Sequence, residues 1–258
     1  MNDVDGLSAL VTGGAPGVGR ATAGLPAGRG ARGAVLDLDP SGAGEPLLGY
    51  RADVTDDPSG RAALAAAAAD LGGLDVLVHD AGIGAQGSVE DAEDYDDAEW
   101  HRVLDVGVCG LVRVARAAHL RRSARAAIVD TCSTAATAGL PRRALRGAAK
   151  GAVHSLALAA PADHVREGIR VDRLAPGTAD TPWIGRLLDP APDPAVERAA
   201  LEARRPTGRM VDAAEVDAAG VVGAVAHLAG PLSGATTGTS LAVDGGMQGL
   251  RPRPAAAR

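Results

Sequence analysis

The sequence predicts an α/β fold, a doubly wound parallel sheet of about seven strands with helices on both faces. Apolar strand-like runs alternate with helical stretches along almost the whole chain, and a glycine-rich turn at 12–19 joins the first run to the first helix. A hydrophobic fraction of 46% over 258 residues is enough for a substantial core. Phe is absent, so this core must be built mainly from Ala, Val and Leu.

Each element follows from the periodicity of its apolar residues. We predict helices over 57–71, 100–120, 142–164 and 213–228 and a first helix ending near 28, and strands over 7–12, 33–38, 49–54, 74–79, 126–133, 168–174 and 240–243. The acidic segment 84–98 is predicted as a loop, and 176–206 as a mobile cover over a site with short helical pieces. With no linker and no repeat, we expect one Rossmann-type domain over 1–250 and a flexible tail over 251–258.

Charge and composition exclude several classes of function. A net charge of −6 without a basic stripe argues against nucleic-acid binding. We see no apolar run of membrane-spanning length and no signal peptide, so we expect a soluble cytoplasmic protein with no membrane partner. Two cysteines, Cys109 and Cys132, indicate neither a disulfide framework nor a metal site. The six histidines lack ligand spacing, and we expect no metal: His79, His101, His119, His154, His164 and His227.

The glycine-rich turn is the first candidate functional motif. Glycines at 13, 17 and 19, between a strand and a helix, allow a tight turn and let a pyrophosphate lie on the helix N-terminus. In a chain with 35 glycines an ordinary turn is the alternative. Asp37, at the end of the second strand, can accept both ribose hydroxyls and repel a 2′-phosphate, which favours NAD over NADP. The alternative for Asp37 is a solvated strand-end acid. We find no arginine beside it, because Arg32 precedes the strand.

The motifs taken together resemble the classical short-chain dehydrogenase/reductase family over nearly the full length of the chain. They are Thr12-Gly-x-x-x-Gly17-x-Gly19, Asp53-Val54, Asp80-Ala81-Gly82, Ser133, Lys150, Pro176-Gly177-Thr178 and Val243-Asp244-Gly245-Gly246. The resemblance implies an NAD site formed by Thr12, Gly13, Gly17, Val18, Gly19, Asp37, Asp53, Val54, Asp80, Ala81, Gly82, Lys150, Pro176, Gly177, Thr178 and Thr181. By the same analogy, we expect helices 100–120 and 142–164 to pair between subunits in a homodimer or homotetramer.

The resemblance implies Ser133 and Lys150 as catalytic residues. Ser133 would polarise the substrate oxygen, and Lys150, the only lysine among 26 basic residues, would bind the nicotinamide ribose. A lone lysine could also be chance in an arginine-rich chain, but its spacing from Ser133 favours the ribose role. The family's proton-exchanging tyrosine, thirteen residues after the serine, is replaced by Arg146, and its asparagine by Gly107. An arginine cannot serve as an acid–base group because its pKa stays above about 12.

Three carboxylates stand where the family usually has asparagine. We expect Asp80, Asp130 and Asp172 to lie at buried strand ends, where an uncompensated carboxylate costs several kcal/mol or becomes protonated.

The segments around 162–183 and 204–209 are similar to one branch of the family, the 2-keto-3-deoxy-L-fuconate and cytosolic 3-hydroxybutyrate dehydrogenases. In that branch arginines bind the substrate carboxylate, and the matching positions here are Arg143, Arg186 and Arg204. The alternative for each is an exposed solubilising arginine. The resemblance implies an NAD-dependent dehydrogenase acting on a carboxylate-bearing alcohol or ketone, with activity impaired at 146 and 107. The alternative is a non-catalytic NAD-binding homologue, either a pseudoenzyme or a partner subunit.

Overall fold

The computed structural model of the protein describes residues 4–15, 17–28, 30–84, 96–120, 125–141, 143–178, 184–185, 188, 192–210 and 220–251. Residues 213–219 of the predicted helix 213–228, most of the acidic loop, part of the predicted cover and all but the first residue of the tail therefore lie outside the described residues.

One parallel sheet forms the centre of the described structure, and the predicted fold class is confirmed. Its seven strands lie in the order β3-β2-β1-β4-β5-β6-β7. The order reverses direction between β1 and β4, which opens a crevice at the carboxyl ends of these strands. The strands are β1 Ser8–Thr12, β2 Arg32–Asp37, β3 Leu48–Arg51, β4 Val76–His79, β5 Ala126–Thr131, β6 Ile169–Pro176 and β7 Ser240–Val243.

The helices follow the strands as a doubly wound chain requires. The described helices are α1 Gly17–Gly28, α2 Asp57–Leu71, α3 Asp97–Leu104, α4 Gly110–Ala117, α5 Ala144–His164, α6 Pro194–Ala203 and α7 Val221–Ala229. Helix α2 has the predicted bounds, and α5 begins two residues later than predicted. None of the described helices is long and apolar enough to cross a bilayer.

The observed helix differs from the one predicted over 100–120 in three ways, of which the first is that it ends three residues earlier, at Ala117. It begins earlier, at Asp97, because the Asp96 carboxylate accepts from the Glu99 backbone N–H at 2.8 Å and caps the first turn. It is also interrupted by a π turn, Asp105–Cys109, before it continues as α4. Single π turns inside α-helices are frequent at functional sites. Gly107 lies in the middle of this turn.

Both faces of the sheet are buried, which is why its central strands are continuous apolar runs. Val11, Val78 and Val129 lie in a core shared with Val221 and Val225 of α7. Leu10 and Leu77, paired in register across β1 and β4, lie in a second core with Leu64 of α2 and Val114 of α4. The two cores hold the sheet rigid, so the loops at its carboxyl edge start from fixed positions.

We expect Leu77→Ala to lower the free energy of unfolding by about 2–5 kcal/mol, since Leu77 is 0% exposed and its removal leaves a cavity. The matched control is Leu38→Ala, because Leu38 is 61% exposed and the change should stay within about 0.5 kcal/mol. Urea unfolding of both variants measures the difference. Equal midpoints would show that the core is not packed as described.

Candidate active site

The loop after β1 approaches the end of β4 very closely. The Gly13 N–H donates to the Leu36 carbonyl at 2.7 Å, and the Thr12 hydroxyl accepts from the Ala81 N–H at 3.2 Å. Gly13 has φ +67°, and a Cβ added there would lie 2.8 Å from the Ala81 backbone. Only glycine fits this position without strain.

The N-terminus of α1 continues this close approach. Gly17 and Val18 are the first residues of α1, and Gly19 follows in its first turn. A Cβ at Gly19 would collide with the Gly13 carbonyl oxygen and would lie 2.9 Å from Asp80 Oδ2. The glycines therefore form a backbone cradle at a helix N-terminus, the arrangement that accepts phosphate groups.

Asp37 is held by the backbone of the same loop. Its Oδ2 accepts from the Ala15 N–H at 3.2 Å, and its Oδ1 accepts from the Asp39 N–H at 3.1 Å. Each carboxylate oxygen keeps further acceptor capacity, because an ionised carboxyl has about four acceptor positions.

The expectation that no arginine stands beside Asp37 is wrong. Arg51 is the register partner of Asp37 on β3, and its charge contributes to the lowered pKa of Asp39, after the two hydrogen bonds from Ser41. The partner of a strand residue depends on sheet pairing, which the spacing of Arg32 could not reveal.

The other candidate cofactor residues lie along the same edge of the sheet. Asp53 Oδ1 accepts from the Thr55 N–H at 2.8 Å and fixes the turn that carries Val54. After β6, the Gly177 N–H donates to the Val243 carbonyl at 2.9 Å, and Pro176 and Thr178 flank it. Thr181 lies outside the described residues.

Lys150 is directed toward the end of β5. Its Nζ donates to the Thr131 carbonyl oxygen at 2.6 Å, and a Cβ added at Gly82 would lie 3.8 Å from Nζ. The Cys132 thiol donates back to the Lys150 carbonyl oxygen at 3.2 Å. The lone lysine is thereby brought between the Asp80-Ala81-Gly82 turn and the strand that leads to Ser133. Thr131 and Cys132 were not among the sequence candidates, because a backbone acceptor leaves no signal in the sequence.

Ser133 is buried, with 6% of its surface exposed. Its hydroxyl oxygen accepts from the Ala135 N–H at 3.2 Å and caps a short turn that packs against α5. The hydroxyl proton remains able to donate to a substrate oxygen.

Arg146 lies on the first turns of α5, one turn before Lys150. Solvent can reach its side chain, yet enough protein surrounds the guanidinium that desolvation lowers its pKa. No hydrogen bond or ion pair joins Arg146 to another side chain in the described part of the chain. The neighbouring Leu145 and Ala149 are buried against Val103 and fix this face of the helix.

Gly107 leaves space at the second departure from the family pattern. A Cβ added there meets no atom within 4 Å. The π turn around it contacts α5, the helix that carries Arg146.

The surroundings of Lys150 shift the pKa values of two groups, the Lys150 amine and the Asp80 carboxyl. Burial and then the charge of Arg146 lower the pKa of Lys150, while Cys132, Asp80 and Asp130 act in the opposite direction. Burial raises the pKa of Asp80, against the effects of a hydrogen bond from Thr131 and of the Lys150 charge. Both shifts move this carboxyl and amine toward their uncharged forms.

Two of the three carboxylates have partners in the structure. Asp130 Oδ1 lies 2.7 Å from Nδ1 of His79, its neighbour across β4 and β5, and both side chains are buried. Asp172 Oδ1 accepts from the Thr239 N–H at 3.0 Å, and Arg170 lies 3.6 Å from its Oδ2. Asp130 thus has a partner that the sequence did not indicate. Burial still raises the pKa of Asp172 despite its partners, and it raises the pKa of Asp80, as the sequence led us to expect.

Two of the three candidate substrate arginines lie at the ends of described helices. Arg143 is the half-buried residue that precedes α5, and Arg204 is the exposed residue that follows α6. Arg186 lies outside the described residues.

The model of a family described as enoyl-(acyl carrier protein) reductase matches residues 13–248. Cis-4-hydroxycyclohexanecarboxylate dehydrogenase of Sinomonas cyclohexanicum is 36% identical over 249 residues, 92% of this chain and 95% of the relative. The 2-keto-3-deoxy-L-fuconate dehydrogenase of Xanthomonas campestris is 30% identical, over 94% of this chain and 80% of the relative.

Two further matches bear on activity and cofactor. A protein named inactive 2-(S)-hydroxypropyl-CoM dehydrogenase 2, from Xanthobacter autotrophicus, is 36% identical over 86% of this chain and 96% of its own. The crystal structure of an NAD⁺-bound xylitol dehydrogenase superposes with a TM-score of 0.84 at 28% identity, covering 94% of this chain and 99% of the other.

We expect Asp130→Leu to cost about 3–5 kcal/mol of unfolding free energy, because it leaves His79 buried without its partner. The control is Asp130→Asn, whose amide oxygen can still accept from Nδ1 and which should cost much less. Guanidinium unfolding at neutral pH compares the two. An equally large loss for Asn would mean that charge, rather than the hydrogen bond, is what His79 requires.

Proposed function

The chain belongs to the classical short-chain dehydrogenase/reductase family, and on this premise we propose that it is an NAD-dependent dehydrogenase of hydroxy acids or sugar acids with impaired proton transfer. Its relatives are dehydrogenases of hydroxy substrates, so the general class is an oxidoreductase with a nicotinamide cofactor. The finer proposal depends on one observation, that the cleft keeps the family's serine, lysine and glycine motifs but lacks its tyrosine. Ser133, Lys150 and the glycine cradle stand together, while Arg146 occupies the tyrosine position.

The residues at the edge of the sheet fit a dinucleotide. A Cβ at Gly13 or Gly19 would collide with protein atoms of this turn or its neighbour, so the glycines let the loop close as tightly as a pyrophosphate-binding turn requires. Asp37 would accept from the ribose hydroxyls and repel a 2′-phosphate, which favours NAD although Arg51 lies on the neighbouring strand. Lys150 would donate to the nicotinamide ribose. Bound NAD supplies a hydride acceptor at its nicotinamide ring, and this chain's residues must orient the alcohol and manage its proton.

Of the steps that the protein must supply, orientation of the substrate has a candidate residue, whereas proton transfer has no acid–base group at the tyrosine position. Ser133 can donate a hydrogen bond to the substrate oxygen, which orients it and stabilises developing charge. Arg146 cannot accept the hydroxyl proton, since a guanidinium stays charged in proteins. Loss of a positioned acid–base group costs about 10²–10⁴-fold in rate. We therefore expect NAD binding with weak turnover.

The substrate class rests on charge. A carboxylate-bearing alcohol or ketone suits a cleft with Arg143 at the start of α5, because guanidinium groups pair with carboxylates in a bidentate manner. Two relatives carry a carboxylate substrate in their names, the 4-hydroxycyclohexanecarboxylate and 2-keto-3-deoxy-L-fuconate dehydrogenases. A homodimer or homotetramer through the helices over 97–117 and α5 is part of the same proposal.

A second candidate function is a non-catalytic NAD-binding protein, such as a pseudoenzyme or a partner subunit. The arginine at 146 and the glycine at 107 favour it, and a relative named inactive shows similar overall identity. The two candidates differ in whether the native chain turns over at all.

We expect the double change Arg146→Tyr with Gly107→Asn to raise turnover by about 10²–10⁴-fold, because it restores a phenol and its supporting amide. Position 107 has open space for the amide. NAD reduction is followed with 3-hydroxybutyrate and cis-4-hydroxycyclohexanecarboxylate. The control is Arg146→Gln with Gly107→Asn, which removes the guanidinium without adding a phenol. If the native chain matches the restored variant, the proton step was never impaired.

We expect Asp37→Ala to weaken NAD binding about 10- to 100-fold, because it removes the hydrogen bonds that the ribose hydroxyls donate to a charged carboxylate. The same change should reduce the preference for NAD over NADP. Titration calorimetry with NAD and NADP measures both affinities. Asp39→Ala, two residues along the same turn, is the control. Equal losses for the two variants would place the effect in the loop rather than in ribose recognition.

A further inference from the structure

We propose that Nζ of Lys150 is itself the proton acceptor for the substrate alcohol in this chain, and that Arg146 is a positioning residue that acts through it. The proposal rests on the proposed function, since it assigns the proton step of that reaction. This role requires a positive charge at the tyrosine position, because a neutral residue there would not repel a positive charge on Lys150.

The first step of the argument is the placement of the amine. Among the described residues, Nζ makes one hydrogen bond, to the Thr131 carbonyl oxygen at 2.6 Å. Within the described residues no carboxylate lies close enough to form an ion pair with it. A neutral amine can donate to this carbonyl through one N–H while its lone pair remains available. Lys150 is half-buried, so it can be reached from the cleft.

The second step is the position of Arg146. It precedes Lys150 by four residues on α5, which places their Cβ atoms about 5–6 Å apart on one helical face. A guanidinium is always charged, and here it has no carboxylate partner among the described side chains. Its charge therefore acts on Nζ without local neutralisation, and a tyrosine would not have this effect.

The third step concerns the three groups that could stabilise an ammonium at 150, each of which has a reason to act only weakly on it. Asp80, from the turn after β4, has its own pKa raised by burial. Asp130, from β5, is engaged by His79 at 2.7 Å. The Cys132 thiol donates to the Lys150 carbonyl oxygen, and burial raises its pKa, so it stays neutral. Burial and Arg146 lower the pKa of Lys150 and outweigh the opposing effects of these three groups. A lysine beside a second cation is a known way to obtain a reactive neutral amine.

The proton step balances without a further reactant. The hydroxyl proton of the alcohol passes to the lone pair of Nζ and forms an ammonium. The C–H bond gives up its electron pair as hydride, which the proposed function assigns to the nicotinamide, and the substrate carbon becomes a carbonyl. The ammonium at 150 then releases its proton to water. Because the neutral amine is the active form, oxidation should rise with pH through the pKa of Lys150.

The lone lysine allows a direct test. Protein labelled with [¹³Cε]lysine gives one resonance, whose pH titration reports Lys150 without assignment and without cofactor. We expect Arg146→Gln to move the midpoint to higher pH, because it removes a cation, and Arg61→Gln on the surface of α2 to leave it unchanged. If Arg146→Gln does not fold, Arg146→Met serves the same purpose. An unchanged midpoint in the folded variant overturns the role given to Arg146.

A second measurement tests the transfer itself. We expect Lys150→Arg to keep NAD binding, because the guanidinium can still donate to a ribose, and to lose turnover by about 10²–10⁴-fold. The pH at which oxidation begins should move up with the lysine midpoint in Arg146→Gln. Retained turnover in Lys150→Arg, or no turnover in a native chain that binds NAD, overturns the proposal. Failure of the native chain to bind NAD instead counts against the proposed function, and the lysine titration still stands.

Discussion

The reciprocal hydrogen bonds between α5 and the end of β5 are the constraint on which the site depends. The Lys150 amine donates to the Thr131 carbonyl, and the Cys132 thiol donates to the Lys150 carbonyl. Two hydrogen bonds, both made by Lys150, thus join a helix to the end of a strand where the chain continues toward Ser133. The Lys150 side chain is both the reactive group and one of the contacts that hold α5 in place. A substitution at 150 therefore changes the packing of α5 and the reactivity of the site together.

The buried charges around this junction are arranged in pairs rather than scattered. Nδ1 of His79 lies 2.7 Å from Oδ1 of Asp130 across two strands, and Asp172 has Arg170 and the Thr239 backbone N–H as partners. Breaking either pair would strand a charge in a low-dielectric interior. Among the described residues near Lys150 there is no such pair, and the pKa values of Lys150 and Asp80 instead move toward the uncharged forms. Buried ionisable groups are therefore accommodated in two ways. Asp130 has a partner beneath the cleft, whereas the pKa values of Lys150 and Asp80, which face the cleft, shift toward the uncharged forms.

Much of the fold followed from the sequence because the strands are covered on both faces and appear as apolar runs. Strand β3 was less well delimited, since it is an edge strand with exposed residues and its predicted end ran on into the Asp53-Val54 turn. The order of motifs indicated Ser133 and Lys150, and the structure brings both to the carboxyl edge of the sheet. The pairing of His79 with Asp130 could not be foreseen, because 51 residues separate them and only strand register joins them. Arg51 beside Asp37 escaped notice for the same reason.

The π turn at Asp105–Cys109 has a consequence for how the helix can change. It contains one residue more than an α-helical turn would, and each residue rotates a helix by about 100°. Gly110, Val114 and Ala117 face inward on α4 only because of that extra residue, and Gly110 packs so tightly that a Cβ would lie 2.8 Å from Val54 Cγ2. Deleting a residue here would turn this buried stripe toward solvent. The backbone that could seat a catalytic amide is thus held in place by packing, independently of whether the amide is present.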